Sequence, residues 1–214
     1  ADHICGRRSA YTGALGTSVL KLFDLTAAST GLNEKQARAA GVAYDKVVTY
    51  SASHASYYPG ARNMTVKTLF DPASGRILGA QIVGFDGVDK RMDVLAAAIR
   101  AGLTAEQLTE LDLAYAPPYG SAKDPVNMAG YVIENVRAGL VEQHHWDAVA
   151  ELPADGSVIL LDVRTPGEVR KQGLLRSDAL HIPLDELRGR LGELDKGKKI
   201  YVNCYRGLRS YLAC

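Results

Sequence analysis

The chain has 214 residues, of which 47% are hydrophobic, and its 25 Lys and Arg nearly balance its 24 Asp and Glu. A net charge of +1 gives no electrostatic attraction to nucleic acid or to an anionic membrane surface. No apolar run approaches the roughly 18 residues of a membrane span. We therefore expect one large or two small globular domains, with no nucleic-acid or membrane partner.

Cysteine and histidine usage indicates a reduced, cytoplasmic protein with no metal site. Cys5, Cys204 and Cys214 are odd in number and lack metal-ligand spacing, unlike the cysteines of a disulfide scaffold. His144 and His145 have no acidic or cysteine partner at ligand spacing, and we interpret them as linker. The chain lacks an initiator Met and ends inside a predicted helix, which favours a piece of a longer protein.

The first two thirds of the chain mix strand and helix patterns. In chain order they predict a strand Gly16–Leu25, a helix from the Asn33 cap through Ala40, a strand Val42–Ser51, a hairpin of Met64–Phe70 and Arg76–Val83, a helix Val88–Ala101, a short helix opened by a Thr104–Gln107 capping box, and a helix Val126–Ala138. Gly79 and Gly84 indicate close backbone approach or a bulge in the hairpin. These elements predict an α+β unit with an antiparallel sheet and helices packed on one face.

A stiff segment precedes the last of these helices. Pro117 and Pro118 each fix a φ angle, and Tyr115 and Tyr119 flank them. Asp124 is a predicted N-cap with a proline after it at the first helical position. A rigid loop that presents tyrosines favours a binding site, and a packed turn between helices is the alternative.

This part of the sequence carries no complete cofactor site of its own. It contains neither a Gly-x-Gly-x-x-Gly dinucleotide fingerprint nor a Gly-x-x-x-x-Gly-Lys-Ser phosphate loop. We expect it to form a dimer and to lend residues to a site that is completed elsewhere.

Several motifs, in order, give the segment from Gly16 to Gly139 a resemblance to a known family. They are Thr30–Glu34, Tyr57–Ala61, Ile77–Gln81, Asp86–Arg91, Tyr115–Pro118 and Ser121–Asn127. The segment resembles the C-terminal dimerisation domain of flavin-dependent pyridine nucleotide-disulfide oxidoreductases, in particular the coenzyme A-disulfide reductase and NADH oxidase types. Residues 1–15 resemble the tail of the FAD-binding domain.

The resemblance implies a head-to-tail homodimer in which this domain lies over the partner's flavin. It implies FAD, NAD(P)H and coenzyme A in the full-length enzyme, with Tyr57 and Tyr115 as catalytic phenols near the CoA thiol. A phenol stays protonated at neutral pH and can protonate a leaving thiol. Pro117 and Pro118 would bind the cofactor. His54 would contact a CoA phosphate, and a loop histidine with no role is the commoner alternative. The alternatives are a surface aromatic for Tyr57 and a dimer-interface anchor for Tyr115.

The last third predicts an α/β unit. After a polar linker near residue 141 come a short helix Trp146–Leu152, a strand Val158–Val163, a helical turn capped by Thr165, a strand Ala179–Pro183, a helix Leu184–Leu194 and a strand Lys199–Asn203. The apolar Val158–Val163 strand is typical of a parallel sheet.

The passage that begins at Cys204 combines a cysteine, two arginines and a glycine. Successive backbone N–H groups in a strand–loop–helix passage form an anion cradle, which lowers a thiol pKa and holds a thiolate or persulfide. Arg206 and Arg209 add positive charge, and Gly207 lets the loop curl. A lone cysteine at a strand end is more often a buried filler, but this one is followed by Arg206–Arg209.

Leu161–Pro166, His181–Leu184 and Cys204–Arg209 together resemble a rhodanese domain. The six-residue loop resembles that of sulfurtransferases rather than of the related phosphatases. The resemblance implies that Cys204 accepts sulfane sulfur, that Arg209 stabilises the loop and the anion, and that Arg206 contacts substrate. Asp162 and Arg164 would be structural supports. Gly173–Leu175 departs from the usual Gly-His-Ile, and the rhodanese-like domain is truncated at Cys214.

We therefore predict a FAD-domain tail in residues 1–15, a dimerisation domain in 16–140 and a truncated rhodanese-like domain in 141–214. The function predicted is that of the C-terminal part of a FAD- and NAD(P)H-dependent reductase of CoA disulfide, CoA persulfide or polysulfide, inactive as a reductase by itself. The alternatives are a non-catalytic dimerisation module and a stand-alone rhodanese sulfurtransferase.

Overall fold

The computed structural model describes residues 2–214, which form two compact units. The first unit ends at Ala138, and the second is Gly139–Cys214. Among the described residues, none of the helices has the length and apolar character that crossing a bilayer requires.

The first unit is built on a five-stranded antiparallel sheet with the strand order β1-β2-β5-β4-β3. Its strands are β1 (Ser18–Leu22), β2 (Leu25–Gly31), β3 (Asp45–Ala52), β4 (Asn63–Phe70) and β5 (Ile77–Gly84). Its helices are α1 (Glu34–Ala39), α2 (Val88–Ala101), α3 (Ala105–Thr109) and α4 (Pro125–Arg137). The predicted antiparallel sheet with helices is confirmed.

The core of this unit lies between the sheet and the two long helices. Helix α2 packs on β2 and β5, and α4 packs on β3 and β4. The buried side chains that fill this layer include Val47, Val66, Ile82, Leu95 and Ile133. This layer accounts for most of the unit's hydrophobic stabilisation, because it removes the apolar face of each element from water.

The prediction that the helices share one face of the sheet is wrong for α1. Glu34 of α1 forms ion pairs with Lys46 and Lys67. Each of these lysines is next in sequence to a strand residue of the core, Val47 or Val66. Successive strand residues point to opposite faces, so α1 covers the sheet on the side away from α2 and α4.

The predicted strand Gly16–Leu25 is also wrong, because the structure has a hairpin there. Strand β1 ends at Leu22 and β2 begins at Leu25, and Phe23 turns the chain with φ at 51°. Left-handed backbone is uncommon for a bulky residue such as Phe. The pair Phe23-Asp24 is therefore not a sequence that usually predicts a turn.

The other predicted elements of the unit form with small shifts at their ends. Asn33, Thr104 and Asp124 each accept a backbone N–H at the start of α1, α3 and α4. The predicted close approach at Gly79 is confirmed, since a Cβ there would overlap the Leu32 carbonyl. The second predicted strand, Val42–Ser51, forms as β3 and begins at Asp45 rather than at residue 42.

The second unit is a three-stranded parallel sheet with the order β7-β6-β8. Its strands are β6 (Val158–Asp162), β7 (Leu180–His181) and β8 (Lys199–Asn203), and its helices are α5 (Pro166–Gln172), α6 (Leu184–Leu187) and α7 (Leu208–Ala213). Leu161, Val163, Ile182 and Leu187 form its main buried cluster. The predicted parallel sheet and the Thr165 cap of α5 are confirmed.

Two predicted helices of the second unit are shorter or tighter than expected. The predicted helix Leu184–Leu194 stops at Leu187, and a separate 3-10 turn covers Leu191–Glu193. Gly189 and Gly192 fall in this interval, and glycine disfavours a continuous helix because of its backbone entropy. The segment Trp146–Glu151 is a 3-10 helix rather than an α-helix.

Candidate functional site

Two loops of the first unit bring a pair of tyrosines together. Tyr57 lies on the 53–62 loop, which joins β3 to β4, and Tyr115 lies on the 110–124 loop, which joins α3 to α4. Their phenol oxygens are 3.1 Å apart, within hydrogen-bonding distance. Tyr57 is 76% exposed and Tyr115 is 48% exposed, so the pair is open to a ligand or a partner surface.

Backbone hydrogen bonds hold the two loops against each other. The Ala55 N–H donates to the Gly120 carbonyl over 2.8 Å, which joins the loops directly. The 53–62 loop is closed at its base, where the Ser53 N–H donates to the Arg62 carbonyl over 2.8 Å. The tyrosines are therefore placed by ordered backbone rather than by their side chains alone.

The two prolines form the bend of the 110–124 loop. The N–H groups of Tyr119 and Gly120 both donate to the Ala116 carbonyl, at 2.8 and 3.1 Å, and so close a turn around Pro117 and Pro118. Proline suits such a turn because its φ angle is already set. The side chain of Tyr119, which follows the two prolines, is 74% exposed.

The hydrogen bond between the two phenols favours the protonated state of Tyr115. The hydrogen bond with Tyr57 raises the pKa of Tyr115 above its usual value, because that hydrogen bond stabilises the protonated form of Tyr115. Tyr115 therefore keeps its proton at neutral pH, and its hydroxyl can donate outward while it accepts from the Tyr57 hydroxyl. The pair can thus supply a hydrogen bond or a proton to an anion bound over it.

His54 lies in the same loop as Tyr57 but makes mainly local contacts. Its Nδ1 is 3.2 Å from the Ala55 carbonyl oxygen. Its ring meets the Tyr58 ring edge-on, with centroids 5.8 Å apart. The His54 side chain is half-buried, which leaves part of the ring accessible.

A second candidate site surrounds Cys204, immediately after β8. The Gly207 N–H donates to Cys204 Sγ over 3.0 Å, and Ser210 Oγ lies 3.5 Å from the same sulfur. Gly207 adopts a φ of 91°, which a residue with a Cβ rarely takes and which lets the loop curl around the sulfur. The predicted strand–loop–helix passage is confirmed, since α7 begins at Leu208.

The loop favours a thiolate at Cys204. Burial acts to raise the pKa of this thiol, but it is outweighed by the Ser210 hydroxyl and by the backbone N–H groups of Ser210, Arg206 and Gly207. The net pKa of Cys204 is therefore below its usual value, as expected for a sulfur that several donors stabilise as an anion. The thiol opens into a cleft of about 550 Å³ that Thr165, Arg206 and Leu208 also line.

Arg209 contacts a carboxylate that the sequence interpretation missed. Its two terminal nitrogens donate to the two oxygens of Glu168 at 2.7 and 2.8 Å. Arg209 and the Thr165 backbone lower the pKa of Glu168 to about 2. Arg209 also interacts with Cys204, so it faces both the thiol and its own counter-ion. Arg206 is exposed, with its guanidinium 5.8 Å from the Tyr205 ring centroid.

Asp162 and Arg164 form a buried pair beneath the second site. Arg164 donates to both oxygens of Asp162, at distances from 2.6 to 3.0 Å. It also bonds Gln172 Oε1 at 3.0 Å and the Gly173 carbonyl at 2.7 Å, which ties the end of β6 to the end of α5. Within residues 2–214, no group of three or more His, Cys, Asp or Glu side chains could hold a metal ion.

The sequence profile of the pyridine nucleotide-disulphide oxidoreductase dimerisation domain matches residues 17–125, just over half of the chain. The chain therefore belongs to the pyridine nucleotide-disulphide oxidoreductases, and the antiparallel sheet with its helices is their dimerisation domain.

Relatives within this family are reductases of coenzyme A disulfide and of persulfides. The chain is 43% identical over 132 residues to the coenzyme A disulfide reductase of Staphylococcus haemolyticus, covering 61% of this chain and 30% of that reductase. It thus spans about a third of the length of such relatives.

Two solved structures are similar to nearly the whole chain. The crystal structure of reduced Bacillus anthracis CoADR-RHD superposes with a TM-score of 0.93 at 49% identity, covering 99% of this chain and 38% of that one. The NAD-dependent persulfide reductase from A. fulgidus superposes with a TM-score of 0.85 at 42% identity, covering 99% of this chain and 37% of that one.

Proposed function

We propose that this chain is the C-terminal part of a FAD- and NAD(P)H-dependent reductase of CoA disulfide or CoA persulfide. The observation that carries the proposal is the exposed phenol pair, with 3.1 Å between the Tyr57 and Tyr115 oxygens. The identity to coenzyme A disulfide reductases and to a persulfide reductase supports it.

The phenols would act on the sulfur that leaves when the disulfide is cleaved. The overall reaction is CoA–S–S–CoA + NAD(P)H + H⁺ → 2 CoA–SH + NAD(P)⁺, and bound FAD would pass the electrons. Breaking the S–S bond puts an electron pair on a CoA sulfur. Tyr115 Oη would donate its proton to that thiolate, while its hydrogen bond with the Tyr57 hydroxyl holds the phenol in place.

The described residues do not themselves fit a flavin. They contain no dinucleotide-binding glycine fingerprint, and both phenols stand on an open surface. In a homodimer, the 110–124 loop of one subunit would lie against the flavin of the other, with Pro117 and Pro118 as the contacts. His54, on the same loop as Tyr57, would contact a CoA phosphate.

We further propose that Cys204 carries sulfane sulfur in a rhodanese-type site. The lowered pKa of its thiol and the cradle of backbone donors support this role. The step is Cys204–S⁻ + R–S–SH → Cys204–S–S⁻ + R–SH, in which the Cys204 sulfur attacks the sulfane sulfur and the released thiolate takes the proton. Arg206 would contact the anionic donor, and Arg209 would stabilise the loop. The free thiols agree with a reducing, cytoplasmic location.

A substitution in the holoenzyme tests the reductase proposal. Tyr115→Phe is expected to lower kcat for CoA disulfide reduction by about 10²- to 10⁴-fold, the range of general acid catalysis. Tyr119→Phe on the same loop is the matched control and should leave the rate unchanged. An unchanged rate in Tyr115→Phe would show that the assigned role is wrong.

The alternatives differ in what the cysteine and the phenols do. In the proposed enzyme, Cys204→Ser abolishes persulfide formation from polysulfide, whereas CoA disulfide reduction persists. A stand-alone sulfurtransferase would turn over thiosulfate or polysulfide through Cys204 and would show no reductase activity. A dimeric chain that neither binds CoA nor forms a Cys204 persulfide would be a non-catalytic dimerisation module.

A further inference from the structure

A single arginine at the start of α2 lies beneath the two tyrosine loops. Arg91 is 1% exposed and is among the largest fully buried side chains of the described residues. Its Nε and Nη2 donate to the carboxylate of Asp124, with Nη2 to Oδ2 at 2.9 Å. The pair is almost completely removed from water, which is costly unless the remaining donors are also bonded.

The remaining donors of Arg91 reach the other loop. Nη2 donates to the Ser53 carbonyl over 2.9 Å, and Ser53 is the first residue of the 53–62 loop. Nη1 donates to the Gly87 carbonyl over 3.2 Å, just before α2. One guanidinium therefore joins the first residue of the Tyr57 loop to the last residue of the Tyr115 loop.

Arg91 also lies close to the hydrogen bond that joins the two loops. A Cβ at Gly120 would stand 3.8 Å from Arg91 Nη2, so the guanidinium lies directly behind the Ala55–Gly120 hydrogen bond. Asp124 in turn caps α4 by accepting the Val126 N–H over 3.1 Å. Its position is thus set from both sides, by the arginine and by the helix.

We infer that Arg91 is the positioning residue of the tyrosine pair, holding the 53–62 and 110–124 loops in the register that brings Tyr57 and Tyr115 into hydrogen-bonding distance. A guanidinium suits this task because its planar donors point in fixed directions, whereas a lysine ammonium serves fewer acceptors at defined angles. Arg91 does not reach the phenols, so its effect on the reaction is exerted through them. The effect of Arg91 on the reaction rests on the proposed reductase function, whereas its positioning of the two loops does not depend on that function.

The test uses Arg91→Lys in the holoenzyme. We expect the ¹³Cζ signals of Tyr57 and Tyr115 to shift as their hydrogen bond is lost, and kcat for CoA disulfide to fall at least tenfold. In a Tyr115→Phe background, Arg91→Lys should cause less than a twofold further loss, because the group that it positions is already absent.

Arg137→Lys is the matched control. Arg137 also pairs with a carboxylate, that of Glu106, and donates to the Pro72 and Ala73 carbonyls at 3.4 and 3.0 Å, but at the β4–β5 turn. It should leave the Tyr57 and Tyr115 signals and kcat unchanged.

A second variant covers the case in which Arg91→Lys does not fold. Arg91→Met combined with Asp124→Asn replaces both charges, a change that buried ion pairs often tolerate, and retains an N-cap for α4. It should shift the ¹³Cζ signals of Tyr57 and Tyr115 from their wild-type positions and lower kcat at least tenfold.

The inference is overturned if folded Arg91 variants keep the tyrosine signals of the wild type. It is also overturned if combining an Arg91 variant with Tyr115→Phe gives a fold-loss of kcat equal to the product of the two single losses. If Tyr115→Phe is itself without effect, the reductase proposal fails, and the tyrosine signals alone then decide the positioning role.

Discussion

The hydroxyl groups of Tyr57 and Tyr115 lie 3.1 Å apart although 58 residues separate them along the chain. Each belongs to a different loop, and the two loops are joined by a backbone hydrogen bond from the Ala55 N–H to the Gly120 carbonyl. The contact affects the ionisation of Tyr115, whose pKa the hydrogen bond with Tyr57 raises.

Removing one phenol should change the titration of the other. Because the Tyr57 hydroxyl stabilises protonated Tyr115, Tyr57→Phe is expected to lower the pKa of Tyr115 towards its usual value. The measurement is a pH titration of ¹³Cζ-tyrosine signals. Tyr50→Phe, an exposed tyrosine on β3, is the control. An unchanged Tyr115 titration in Tyr57→Phe would contradict the hydrogen bond.

The two cysteines of the second unit should react differently with an alkylating agent. Donors around Cys204 lower its pKa, whereas burial raises that of Cys214. Iodoacetamide should therefore modify Cys204 at lower pH than Cys214, as followed by peptide mass spectrometry. Ser210→Ala should move the Cys204 midpoint upward, and Ser157→Ala should not. Equal midpoints for the two cysteines would argue against the cradle.

The Glu168–Arg209 pair should stabilise the second unit in a pH-dependent way. Arg209 lowers the pKa of Glu168 to about 2, so its contribution is fully present above the unfolded value near 4.5 and is lost as pH falls towards 2. Glu168→Gln should lower the unfolding midpoint at pH 7, and the difference from wild type should shrink between pH 4.5 and 2. Thermal unfolding followed by circular dichroism measures this. A constant difference would rule out the ion pair as its cause, and Glu151→Gln is the control.

Neighbouring residues on β5 should differ sharply in their effect on stability. Ile82 is 0% exposed and packs in the core, whereas Val83 is 43% exposed. Ile82→Ala is expected to lower the free energy of unfolding by about 2–5 kcal/mol. Val83→Ala should cost less than about 1 kcal/mol, because little apolar surface is lost. Urea denaturation measures both, and similar values would contradict the assigned faces of the strand.

Local signals account for most of the elements that the sequence predicted correctly. Asn33, Thr104, Asp124 and Thr165 all cap the helices that they were expected to cap. Such caps act over three residues, so the sequence specifies them without reference to the fold. The predictions failed where the local signal was weak, as at Phe23, or where glycines interrupted a helical spacing, as after Leu187.

The residues of the candidate sites also differ in how clearly the sequence signals them. Each tyrosine, the double proline and the cysteine loop stand out in the sequence because their residue types are unusual together. Arg91 gave only a faint signal, an arginine on the helix face that also carries Val88 and Leu95. Glu168 was not singled out in the sequence, although it bonds the Thr165 N–H and also binds Arg209.

The sequence alone determined the caps, the alternating strands, the antiparallel and parallel classes of sheet and the residues able to do chemistry. Only the tertiary structure decided which of those residues meet: Tyr57 with Tyr115, Arg91 with Asp124 and Glu168 with Arg209. The reason is physical, because a cap or an alternation depends on neighbours along the chain. A contact between distant loops depends on how all the intervening elements pack.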